Sequence, residues 1–130
     1  LSEGTEVYHS DLKTRYFKGD KEVLAAIDKW AELTTQFKEI VSQENPCIQD
    51  LSTILNANFD LRTSLYDVGD GNRALIETAR ECGASAKFAG SGGAIVGLVD
   101  EAGGNAVLQN MKARFSGMGV KVLQPRVLAG

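Results

Sequence analysis

The sequence contains few of the residues that would define a disulfide-rich or zinc-binding protein. Its two cysteines, Cys47 and Cys82, lie far apart and lack the short spacing typical of metal ligands. We therefore expect two reduced thiols rather than a disulfide or a zinc site. Reduced thiols are typical of a reducing compartment, which predicts a cytoplasmic location.

Basic residues are not in excess either. The chain has 14 Lys and Arg against 17 Asp and Glu, which gives a formal charge of −3. A nucleic-acid surface needs clustered cations to match the phosphate backbone, so we expect no nucleic-acid partner. The apolar run from Ala94 to Val99 is far shorter than the ~20 residues that cross a bilayer, so we expect no membrane partner.

What is present fits one globular domain. A length of 130 residues with 43% hydrophobic residues is typical of a single core, and we expect residues 1–130 to form one domain. Hydrophobic periodicity and helix-end signals predict α-helices first and short strands later. The predicted helices are Thr5–Lys18, a second from the N-cap Asp20 to about Gln43, Cys47–Tyr66, Asn72–Cys82 and one around Val107–Phe115. The predicted strands are Ser85–Ala89, Ala94–Val99 and Val120–Leu123.

This order of elements predicts an α+β fold with helices packed on one face of a small antiparallel sheet. Three strands make a thin sheet, so we expect a further strand upstream of Leu1. On the second helix, spacings of four and three residues predict a buried stripe. That stripe comprises Val23, Ile27, Trp30, Thr34, Phe37 and Val41, and Trp30 is expected to pack in the core rather than to stack on a ligand.

A glycine-rich loop joins the first two predicted strands. It comprises Gly90, Ser91, Gly92, Gly93 and Ala94. Glycine allows positive φ and close approach of the backbone, and consecutive N–H groups can form a concave site for phosphate oxygens. The spacing matches neither the P-loop nor the dinucleotide-binding fingerprint. A tight hairpin connection would also require glycine, so both interpretations stay open.

The third predicted helix carries two polar residues, Asn58 and Arg62, one turn apart on an otherwise apolar face. Buried polar groups need partners, and a guanidinium beside an amide would suit a sugar acid. Alternatively, Arg62 pairs with Asp60, Asp67 or another acid, and the backbone satisfies Asn58. His9 is a further candidate for substrate contact, or simply a partly exposed histidine.

Several segments resemble the GHMP kinases, the superfamily that includes galactokinase, homoserine kinase, mevalonate kinase and phosphomevalonate kinase. The segment from Gly83 to Ala94, GASAKFAGSGGA, is similar to the third conserved motif of that superfamily. Further segments resemble its glucuronokinase branch, so that the resemblance covers the chain from about Glu6 onward. These segments are Val7–Ser10 through Arg15–Tyr16, the turn Gly19–Asp20, Leu55–Arg62 and Leu123–Pro125.

The resemblance implies the ferredoxin-like C-terminal domain of a longer two-domain kinase. Such an enzyme would use ATP and Mg²⁺ to phosphorylate the anomeric hydroxyl of D-glucuronate, which gives glucuronate 1-phosphate for UDP-glucuronate synthesis. Gly90, Ser91, Gly92, Gly93 and Ala94 would then lie near the nucleotide phosphates. The resemblance places the catalytic residues and the Mg²⁺ ligands in the N-terminal kinase domain, so we assign none here and expect this segment alone to be inactive.

Two other functions remain open. The full-length protein could phosphorylate another sugar or a mevalonate-type substrate, which is a change within the same superfamily. Because small α+β domains also bind metabolites without chemistry, a non-catalytic ligand-binding module is the alternative from a different class.

Lys87 lies just before the loop, and its side chain is expected to point to solvent.

Overall fold

The computed structural model describes residues 6–125, with side chains from Ser10 onward. Within that range the chain forms five α-helices and one two-stranded sheet, in the order four helices, hairpin, helix. The elements are α1 (Glu6–Phe17), α2 (Lys21–Val41), α3 (Ile48–Leu65), α4 (Asp70–Glu81), β1 (Lys87–Phe88), β2 (Ile95–Val96) and α5 (Gly104–Gly117). The predicted α+β class is confirmed.

The helix ends follow from local sequence. The carboxylate of Asp20 accepts hydrogen bonds from the N–H groups of Glu22 and Val23, so the predicted N-cap of α2 is confirmed. The fourth helix begins at Asp70, two residues earlier than predicted. Gly83 follows its last turn with φ of +100°, the conformation that favours glycine after a helix.

The predicted buried stripe of α2 is only partly right. Ile27 and Val41 are 39% and 50% exposed, whereas the buried residues of this helix are Val23, Ala26 and Leu33. Helix α2 packs against α1 and α3. The face of α2 that these contacts bury is narrower than the predicted stripe. Trp30 packs beside this buried face, as predicted.

The first two predicted strands form, but each is shorter than expected. Strands β1 and β2 pair antiparallel, with Lys87 opposite Val96 and Phe88 opposite Ile95. The predicted strand Val120–Leu123 is wrong, because these residues have no regular secondary structure. A strand requires a hydrogen-bonded neighbour, and within residues 6–125 the sheet contains β1 and β2 alone.

The core divides into two clusters. The hairpin cluster lies between α3, α4, β1 and α5, and Phe59 and Phe88 form its centre with ring centroids 5.1 Å apart. Its buried residues are Phe59, Val68, Ile76, Ala79, Cys82, Ala84, Ala86, Phe88, Met111 and Phe115. The α2 cluster contains Val23, Ala26 and Leu65. Tyr66 packs against both clusters.

No helix within residues 6–125 has both the length and the apolar character needed to cross a bilayer.

Candidate functional site

The glycine-rich loop lies at the tip of the β1–β2 hairpin. The N–H of Ala89 donates to the carbonyl of Ala94 over 3.1 Å, which closes the loop at its base. Gly92 and Gly93 have φ values of +136° and +78°, which side chains other than glycine rarely adopt. The glycines are therefore required by the loop conformation, and the sequence placed the loop correctly.

A buried asparagine from α4 holds the loop in position. Asn72 is 2% exposed, and its side-chain oxygen Oδ1 accepts a hydrogen bond of 2.9 Å from the N–H of Gly93. Its nitrogen Nδ2 donates to the carbonyl of Val68, also over 2.9 Å. One side chain thus ties the loop to the start of α4. The role of Asn72 could not be predicted from the sequence, because an asparagine in the first turn of a helix carries no signal for a contact with a residue so distant in the chain.

Other backbone donors of the loop remain available. Within the described part of the chain, the N–H groups of Gly90 and Gly92 make no hydrogen bond. Gly90 is exposed to solvent and Gly92 is half-buried. Unpaired N–H groups in a loop with positive φ can donate to the oxygens of an anion, so this loop is a candidate anion-binding site.

The base of the hairpin is fixed by a close backbone approach. A Cβ built at Gly97 would lie 1.8 Å from the carbonyl oxygen of Ser85, so the position admits no side chain without movement. The N–H of Ser85 donates to the carbonyl of Leu98, and the Ser85 hydroxyl accepts from the N–H of Leu98, each over 3.0 Å. These bonds set the direction in which the loop projects.

Arg62 lies against the strand that enters the loop. Its guanidinium carbon is 5.4 Å from the centroid of the Phe88 ring, and its Nη1 donates to the Tyr66 hydroxyl over 2.8 Å. The alternative in which Arg62 pairs with Asp60, Asp67 or another acid is not observed among the described side chains. Asp60 pairs instead with Arg80 at 2.8 Å, as an acceptor from its Nη1.

The Arg62 guanidinium retains unused hydrogen-bonding capacity. Its Nε is buried and has no hydrogen-bond partner in the described part of the chain. Every other arginine whose side chain the structure describes is paired with an acid. A half-buried arginine without an acid partner is a candidate for binding an anionic ligand.

Asn58 lines a groove between α2, α3 and β1, one turn before Arg62. The groove has a volume of about 400 Å³, and Lys87 lies on its wall with Asn58. The backbone carbonyl of Asn58 accepts from the Trp30 indole over 3.2 Å. Among the described residues nothing hydrogen-bonds the Asn58 side-chain amide, so the alternative in which the backbone satisfies it is not observed.

The prediction that Lys87 points to solvent is wrong. Its side chain is half-buried, and its Nζ donates to the carbonyl of Phe88 over 2.8 Å. Burial lowers the pKa of Lys87, and the positive charge of Arg62 lowers the same pKa further. Strand alternation gives the face of a residue but not the path of a long flexible side chain, so the sequence held no signal for this arrangement.

The structure therefore places Arg62 and Asn58 on α3 and Lys87 on β1, the strand that leads into the loop, and Asn58 and Lys87 line one groove. His9 lies in α1, but its side chain is outside the described residues. No group of three His, Cys, Asp or Glu side chains that could hold a metal ion occurs among the described side chains.

These features define a class of protein: an α+β domain with a glycine-rich loop at the tip of a hairpin and, among the described side chains, an arginine and a lysine at β1 that have no acid partner. Comparison with known proteins makes the class specific. The sequence model of the family described as "GHMP kinases C terminal" matches residues 37–117. The chain belongs to this family of GHMP kinase C-terminal domains.

Two curated relatives come from Arabidopsis thaliana. The chain is 32% identical to "Probable glucuronokinase 2" over 112 residues, which cover 84% of this chain and 30% of the relative. It is 28% identical to "Glucuronokinase 1" over 124 residues, which cover 93% of this chain and 33% of the relative. The chain thus spans about a third of the length of these relatives. No solved structure matches it.

Proposed function

We propose that this chain is the C-terminal domain of an ATP-dependent sugar kinase that phosphorylates the anomeric hydroxyl of D-glucuronate to glucuronate 1-phosphate. The names of the two relatives support the substrate, and the family supports phosphoryl transfer. The product would supply UDP-glucuronate synthesis in the cytoplasm. The full-length enzyme would also contain an N-terminal kinase domain with the catalytic residues and the Mg²⁺ ligands.

The observation that carries this proposal is the glycine-rich loop with unpaired N–H groups at Gly90 and Gly92. ATP supplies the phosphoryl group when it is bound. Phosphoryl transfer depends mainly on positioning and on stabilising the charge of the phosphate oxygens. Backbone N–H groups held in a fixed loop donate to those oxygens without reorganising, and Asn72 keeps the loop fixed.

The substrate side of the proposed site is Arg62 with Asn58. A carboxylate can accept two hydrogen bonds from the fork of a guanidinium, and Arg62 has no acid partner among the described side chains. The Asn58 amide can donate to and accept from sugar hydroxyls. Both lie on one face of α3 beside β1, which leads into the loop. A sugar acid bound there would lie next to the phosphate-binding loop.

The test is ATP-dependent phosphate transfer by the full-length protein. The substrates are glucuronate, galacturonate, glucose, galactose and mevalonate, and the variants are wild type, Arg62→Ala and Arg114→Ala. Arg114 is the control, since it pairs with Glu81 at the end of α4, away from the start of that helix where Asn72 holds the loop. We expect selective turnover of glucuronate, a KM about tenfold higher in Arg62→Ala, and no change in Arg114→Ala.

Three other outcomes would correct the proposal. Turnover of a neutral sugar or of mevalonate would keep a GHMP kinase but change its substrate. Absence of turnover with every substrate would favour a non-catalytic ligand-binding module. Phosphorylation of glucuronate by the 130-residue chain alone would contradict the assignment of catalytic residues to an N-terminal domain.

A further inference from the structure

Two positive side chains lie beside each other at β1 with no negative partner. Arg62 lies against the Phe88 ring, and Lys87 precedes Phe88 in the chain. Among the described side chains, no carboxylate forms an ion pair with either. The two charges are close enough for Arg62 to lower the pKa of Lys87. Two like charges close together in a half-buried place repel each other, and a bound anion would offset this repulsion.

The Lys87 side chain is held against β1 rather than extended into solvent. Its Nζ uses one of its three donors on the Phe88 carbonyl, over 2.8 Å, and two donors remain. Lys87 and Asn58 line the same groove, and Asn58 lies one turn from Arg62 on α3. The Lys87 ammonium and the Asn58 amide therefore line one groove, and both Lys87 and Arg62 contact Phe88.

We propose that Lys87 is a specificity-determining residue that binds the carboxylate of the sugar acid together with Arg62. This inference rests on the proposed function. Arg62 supplies the planar fork and Lys87 supplies a second, compact charge, so a carboxylate is bound from two sides. A neutral sugar leaves both cations without a partner and binds less well. The preference for a sugar acid over a neutral sugar thus follows from two cations that have no carboxylate partner among the described side chains.

The test compares Lys87→Met with wild type in the full-length protein. Methionine removes the charge and retains an unbranched side chain. The measurements are KM for glucuronate, KM for ATP and the inhibition constant of glucuronamide, in which a neutral amide replaces the carboxylate. We expect KM for glucuronate to rise about tenfold, the effect of losing one charge-assisted hydrogen bond. KM for ATP and the glucuronamide constant should stay within about twofold, because neither depends on a carboxylate contact.

Lys18→Met is the matched control, since Lys18 is exposed between α1 and α2 and its loss should change none of these constants. Lys87→Arg retains the charge and should restore most of the affinity. Lys87→Gln provides a second neutral variant if Lys87→Met fails to fold, which circular dichroism would reveal.

Each outcome separates the inference from the proposed function. If wild type turns over glucuronate and the Lys87 variants leave its KM unchanged, the inference fails and the proposed function stands. If KM for ATP rises instead, the two cations bind a nucleotide phosphate and the carboxylate assignment is wrong. If the glucuronamide constant rises as much as KM for glucuronate, Lys87 has only a structural role. If wild type phosphorylates no sugar acid, the proposed function fails and the inference fails with it.

Discussion

Gly97 shows how one residue without a side chain determines where the loop projects. A Cβ at this position would lie 1.8 Å from the carbonyl oxygen of Ser85, which is backbone and cannot turn away. We expect Gly97→Ala to destabilise the chain by about 1–3 kcal/mol, the usual cost of forcing atoms into a packed region. Urea denaturation followed by circular dichroism would measure the change.

Gly117→Ala is the control for this substitution. A Cβ at Gly117 meets nothing within 4 Å, and the residue ends α5. Alanine favours helix, so this variant should be as stable as wild type or more stable. Equal stability of Gly97→Ala and wild type would show that the hairpin can shift freely, and the loop would then lack the fixed position that we assign to it.

At the same scale, the sequence predicted the position of the loop between two strands better than the contacts that hold the loop. Glycines between two strand-like segments were enough to place the loop. The partner of Arg62 could not be predicted, because several acids near it in the chain were plausible ion-pair partners. The tertiary packing instead brings the Tyr66 hydroxyl within hydrogen-bonding distance. Asn72 and Lys87 act through contacts set by the tertiary fold, which no local pattern encodes.

At the scale of elements, the connection from α1 to α2 contains a charged N-cap. Asp20 caps α2 and accepts from Arg15 Nε over 2.9 Å. The hydrogen bond from Arg15 lowers the pKa of Asp20, assisted by the backbone N–H groups of the cap. Because the folded pKa is depressed, this stabilisation is present above the unfolded pKa of about 3.9 and is lost as pH falls through the lower folded pKa.

Asp20→Asn separates the ion pair from the cap, because asparagine caps helices as well as aspartate does. We expect the variant to have a lower Tm than wild type at pH 7, and the difference to narrow as pH falls below about 4. Thermal unfolding from pH 2 to pH 7 would measure it. A difference that is constant with pH would show that the Arg15 interaction adds no stability.

Elements with local end signals were predicted well, and the one that depends on a distant partner was not. Asp20 and Gly83 define a helix start and a helix end through bonds to their immediate neighbours. The segment Val120–Leu123 has the composition of a strand, but a strand forms only beside another strand. Whether this segment forms a strand therefore depends on the tertiary structure and cannot be predicted from its own residues.

At the scale of the whole molecule, the two thiols report on folding in different ways. Cys47 is exposed before α3, and Cys82 is buried in the hairpin cluster. We expect an alkylating reagent to modify Cys82 ~100-fold more slowly than Cys47, which corresponds to an opening free energy of about 2.7 kcal/mol. Peptide mass spectrometry after timed labelling would give both rates.

The denatured protein is the control, since both thiols should then react at similar rates. Comparable rates in the folded protein would show that the hairpin cluster opens readily. That result would contradict the tight packing seen around Cys82, where Arg114 Nη1 lies 3.9 Å from the sulfur.

Tyr66 has a consequence for how the domain responds to its ligand. The ring packs against both hydrophobic clusters, and its hydroxyl accepts the hydrogen bond from Arg62. If the proposed anion binds Arg62, we expect it also to restrain Tyr66, and through Tyr66 the packing between the two hydrophobic clusters. Occupancy of the proposed site would then be linked to the rigidity of residues that never touch the ligand, a form of cooperativity that needs no change of shape.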